Sequence, residues 1–134
     1  GYKFEIGKGE ILREGKDVAL IGTGIMVAKC LEAADELAKE GIEATVVNIG
    51  TIKPLDEELV IKVAKATGKV VTAEEHSIIG GLGSAVAEVL SEKCPTKMAR
   101  IGVKDQFGAS GSPKLLLEKY GLTAKDIVAA AKGL

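Results

Sequence analysis

The most chemically loaded stretch of the chain is Glu74-Glu75-His76. Two carboxylates beside an imidazole are the groups that move protons near neutral pH or bind a divalent metal. A metal centre needs further donors converging from elsewhere, and His76 is the chain's sole histidine. The simpler expectation is a polar loop that orders a helix N-terminus or makes a subunit contact. Just downstream, Gly80-Gly81-Leu82-Gly83-Ser84 could aim backbone N–H groups at an anion. It could equally let a helix pack closely on a sheet or against a partner domain. A third run, Gly22-Thr23-Gly24, follows a candidate strand and opens a candidate helix, as a dinucleotide fingerprint does. The third glycine of that fingerprint would fall at position 27, which is Val27. The acidic ribose ligand expected after the next strand is replaced by Asn48. A tight strand-to-helix turn is therefore the favoured reading of Gly22–Gly24.

Other reactive types are less suggestive. Cys30 falls on the apolar face of a helical pattern and reads as core. Cys94 precedes a proline at a helix end, and neither cysteine has an evident activating base. The two are far apart and form no CxxC pair, so a reducing cytoplasm is the expected compartment. Lys8, Lys53 and Lys104 are scattered and read as solvated surface.

The elements that must position these groups alternate short β-branched runs with amphipathic stretches, as in a mostly parallel sheet with helices on both faces. Glu10–Arg13 reads as a short strand, and Gly15-Lys16-Asp17 as a turn. Val18–Ile21 is a continuous apolar run, expected of a strand buried on both faces. Taken locally, these two strands would pair as a hairpin. Gly24–Gly41 is the clearest helix, with Val27, Cys30, Leu31, Ala34, Leu37 and Ala38 on one face and Gly41 as a left-handed cap. Glu43–Ile49 is the next strand. Asp56 caps a helix that runs to Thr67, packs Leu59, Val60, Val63 and Ala64, and ends at Gly68. Val70–Thr72 is a buried strand, and Glu74–Gly83 a polar, then glycine-rich loop. The helix that follows turns Val86, Val89 and Leu90 inward and stops at Cys94-Pro95. Lys97–Val103 is the last strand. Phe107–Ser112 is a loop, Ser112-Pro113 starts a short helix to Tyr120, and Thr123 caps a final helix carrying Ile127, Val128 and Ala131.

Composition narrows the function. At 134 residues the chain is the size of one domain, and residues 1–134 read as a single unit with 1–16 as a leading segment carrying a short edge strand. A core of that size needs no metal or disulfide. Eighteen basic residues against nineteen acidic ones leave no basic stripe for nucleic acid or a membrane surface. Tyr2, Phe4, Phe107 and Tyr120 form no stacking platform. No apolar run approaches the ~20 residues that span a bilayer, and Gly1–Lys8 has no hydrophobic signal region.

Several runs taken together resemble one family. They are Ile6-Gly7-Lys8-Gly9, Asp17–Gly24 (DVALIGTG), Thr51–Asp56 (TIKPLD), Thr72–Ser84 (TAEEHSIIGGLGS), Gly102–Gly108, Ser110-Gly111 and Tyr120-Gly121-Leu122-Thr123. In order and across essentially the whole chain, they resemble the C-terminal domain of transketolase. Related domains occur in 1-deoxyxylulose-5-phosphate synthase and in 2-oxoacid dehydrogenase beta chains. The EEHSIIGGLGS run and the YGLT tail look more like transketolase.

The resemblance implies a three-layer α/β/α doubly wound domain with a five-stranded mixed sheet, strand 1 being antiparallel. The implied strand order, 1-3-2-4-5, reverses between strands 2 and 4, where open α/β sheets bind ligands. It thus places strand 1 beside strand 3, against the local hairpin reading. It also gathers Gly22, Thr23, Gly24, Glu74, Glu75, His76, Gly80, Gly81 and Gly83 as candidate crevice or subunit-contact residues.

Transketolases of the pentose phosphate pathway move a two-carbon ketol unit between sugar phosphates with thiamine diphosphate and Mg²⁺, held between two other domains. The GDG motif that binds metal and diphosphate is absent from this sequence. The resemblance therefore implies no catalytic, cofactor-binding or metal-binding residue here. It implies a homodimeric enzyme whose remaining domains or subunit are this chain's partners. A regulatory anion-binding module, or a docking module like that of the dehydrogenase beta chains, is the alternative.

Overall fold

A computed structural model describes residues 7–77, 81–103 and 122–134. The elements run β1 (Glu10–Arg13), β2 (Val18–Gly22), α1 (Met26–Lys39), β3 (Ala44–Asn48), α2 (Glu57–Thr67), β4 (Lys69–Ser77), α3 (Leu82–Lys93), β5 (Lys97–Val103) and α4 (Ala124–Lys132). The loop expected at Phe107–Ser112 and the helix expected at Ser112–Tyr120 lie outside the described residues.

The five strands form one sheet of order β1-β3-β2-β4-β5. β1 runs antiparallel to β3, and the other pairings are parallel. Every residue of β2 is buried, as its unbroken apolar sequence requires of a central parallel strand. Side chains alternate between two apolar layers. Val18, Leu20, Val46, Val71 and Ala73 pack with α1 and α4 on one face. Ala19, Ile21, Val47 and Val70 pack with α2 and α3 on the other.

The local hairpin reading fails because β2 uses both its edges for β3 and β4. The turn at Gly15 crosses the start of β3 instead. Gly15 donates its N–H to the Thr45 hydroxyl at 2.9 Å, and that hydroxyl donates to the Gly15 carbonyl at 2.7 Å. A Cβ at position 15 would lie 2.5 Å from the Ala44 carbonyl carbon, so only glycine allows this crossing. β1 then lies on the sheet edge, short and with an irregular register between Ile11 and Arg13, which blunts it against further pairing.

The helix faces hold with local shifts. α1 buries Met26, Cys30, Ala33, Ala34 and Leu37. The expected face included Ala38, which is exposed, and missed Met26 and Ala33. Asp56 caps α2 by accepting the Leu59 N–H at 3.2 Å. Left-handed Gly68 ends that helix. Thr123 caps α4 in a reciprocal box with Asp126. In α3, Val86 and Leu90 are buried while Val89 is half-buried.

Candidate functional site

β4 is longer than the sequence suggests. Its expected end was Thr72, with a loop from Glu74, yet the strand continues through Glu74, Glu75 and His76 to Ser77. The pairing with β2 reaches Gly22 opposite Ala73. Beyond that point β4 overhangs its neighbour and pairs only with β5, through an irregular register that resumes at Ser77 opposite Val103. The overhang is why polar residues occupy a strand here.

Strand geometry decides what the two carboxylates can do. Successive side chains point to opposite faces, so Glu74 and Glu75 diverge and cannot form an acid/base pair. Glu74 is 0 % exposed and turns under α3. One of its oxygens accepts the Leu82 N–H at 2.8 Å, and the other accepts the Gly83 N–H at 2.7 Å. An internal carboxylate thus satisfies the two N–H groups that open α3 and complements the positive end of the helix. Two N–H groups of the candidate anion cradle at Gly80–Ser84, those of Leu82 and Gly83, are therefore already held.

Glu75 is exposed and faces the other layer. Its Oε1 lies 3.1 Å from where a Cβ on Gly24 would stand, beside the start of α1. Gly24 itself has φ +60°, a left-handed conformation that favours glycine.

The glycines are explained by close approach. A Cβ at Gly22 would lie 3.0 Å from the Cys30 sulfur and 3.3 Å from both the Met26 carbonyl oxygen and the Val27 Cα. The Gly22 carbonyl also accepts the Ile49 N–H at 2.9 Å, and Thr23 donates its N–H to the Ala73 carbonyl at 3.3 Å. A Cβ at Gly83 would meet the Arg100 stem at 2.8 Å and the Thr72 hydroxyl at 3.0 Å. Gly81 is the buried residue preceding α3. Gly80 and the His76 side chain lie outside what is described. Gly22, Thr23, Gly24, Glu74, Glu75, Gly81 and Gly83 all sit at the carboxyl edge of the sheet, across the β2/β4 reversal.

Two features were not signalled by residue type. Asp56 joins the leading segment to α2, because its second oxygen accepts the Gly9 N–H at 2.9 Å. Glu10 Oε2, Thr51 Oγ1 and Thr72 Oγ1 are buried without hydrogen-bond partners. Burial also pushes the Cys30 thiol up from 9.0 to about 12, leaving it an inert core residue.

A groove of about 1080 Å³ lies elsewhere, between the outer faces of α1 and α4. Its acids are matched by cations, with Lys39–Glu36 at 3.2 Å and Lys132–Glu40 at 2.6 Å. Among the described residues no three His, Cys, Asp or Glu converge on a metal position.

Residues 7–127 match the family model for the transketolase C-terminal domain. The chain belongs to that family. A solved split-gene transketolase, described as an inactive beta4 tetramer, superimposes on it with a TM-score of 0.95 at 58 % identity, covering 98 % of this chain and 43 % of that one. The 6-deoxy-6-sulfo-D-fructose transketolase subunit SqwH of Clostridium sp. (strain MSTE9) is 57 % identical over 96 % of this chain and 40 % of its own length. The 1-deoxy-D-xylulose-5-phosphate synthase of Heliobacterium modesticaldum is 48 % identical over 96 % of this chain and 20 % of its own. The chain therefore spans less than half of each relative. The mixed five-stranded sheet with an antiparallel first strand is the transketolase C-terminal fold.

The transketolase family works with thiamine diphosphate, and the described residues do not fit that group. The first two N–H groups of α3, on Leu82 and Gly83, are held by Glu74. Glu75 sets a second carboxylate beside the start of α1. Both would repel an incoming diphosphate. Among the described residues, no helix is long and apolar enough to cross a membrane.

Proposed function

We propose that residues 1–134 form one non-catalytic C-terminal domain of a thiamine-diphosphate-dependent transketolase. The complete enzyme transfers a two-carbon ketol unit between sugar phosphates, and this domain supports its domain and subunit assembly. Cofactor and Mg²⁺ bind on the remaining domains. The enzyme is a cytoplasmic homodimer of such assemblies, and the Gly22–Gly24 and Glu74–Gly83 crevice contributes to contacts within it. Higher identity to two transketolase subunits than to the synthase favours ketol transfer over the synthase reaction. The observation that carries the non-catalytic reading is the Glu74 carboxylate seated on the first N–H groups of α3. It turns the most reactive-looking stretch of the chain into an internal helix cap.

The test is the thermal midpoint of this chain with and without thiamine diphosphate and Mg²⁺. No rise is expected. A cofactor bound at ~100 times its dissociation constant would add about 2.7 kcal/mol, a rise of roughly 10 °C for a domain of this size. A saturable rise of that order would overturn the reading. In a second arm, the complete subunit is mixed with a partner carrying GDG, and ketol transfer is expected only from the mixture.

A further inference from the structure

We draw no further inference here: the strongest candidate, the groove between the outer faces of α1 and α4, has Glu36 and Glu40 already paired with Lys39 and Lys132, and nothing in the structure shows what covers it.

Discussion

Replacing Glu74 with glutamine tests whether this residue is a structural cap. The side chain keeps its shape and volume, so no cavity is created. Both carboxylate oxygens accept a helix N–H, at 2.8 and 2.7 Å, in a fully buried setting. Glutamine retains one acceptor and presents an amide NH₂ to the other N–H. One hydrogen bond to a charged group is lost, worth about 1.5–3 kcal/mol, and one buried N–H is left facing a donor, at a cost of about 1–3 kcal/mol. Loss of the negative charge at the helix N-terminus adds a few tenths to about 1 kcal/mol. The lower cost of burying a neutral amide offsets part of this. A net loss of about 3 kcal/mol follows. At roughly 2.1 cal/mol/K of unfolding entropy per residue, that lowers the midpoint of a 134-residue chain by about 10 °C. The assay is thermal unfolding followed by circular dichroism, with urea titration to confirm the free energy. Glu75→Gln is the internal control. That side chain is exposed, and its replacement should move stability by less than about 0.5 kcal/mol. A loss below about 1 kcal/mol at Glu74, or equal losses at both positions, would refute the reasoning.

Gly22→Ala should cost about 1–3 kcal/mol by overpacking, although alanine suits a strand better than glycine, because the added methyl meets the Cys30 sulfur at 3.0 Å and α1 backbone at 3.3 Å; equilibrium unfolding reads it. Cys30 should make stability fall in alkali. Its folded value is raised above 9.0 to about 12, so the unfolded chain releases the proton first. The contribution is complete below pH 9.0 and is lost progressively as pH rises toward 12. Between pH 8.5 and 10.5 the native chain should lose about 2 kcal/mol more than a Cys30→Ala variant, measured by urea unfolding of both at each pH.

Much of the fold was legible because its signals are local. The unbroken run at Val18–Ile21 could only be a central strand, and Asp56, Gly68 and Thr123 stand where the helix ends fall. The site was only partly legible. Sequence spacing marked Glu74–His76 as reactive. It could not show that β4 continues through these residues, because the extension depends on how far β2 and β5 reach beside it. The face of α1 was misjudged at Ala38 for a related reason. Alanine fits either side of a helix, and only packing against the sheet selects Ala33 and Ala34 over it.

The amino-acid sequence by itself determined the order and kind of the described elements, the two-sided burial of the central strands and the family, since these rest on periodicity, caps and contiguous motifs. Tertiary structure decided the rest. It sent Glu74 and Glu75 to opposite faces and gave Glu74 to the first N–H groups of α3, and it kept both edges of β2 occupied so that β1 lies beside β3, as the family resemblance had already implied. Each of those outcomes depends on which backbone groups a distant segment leaves unpaired. That is a property of the assembled sheet and of no single stretch of chain.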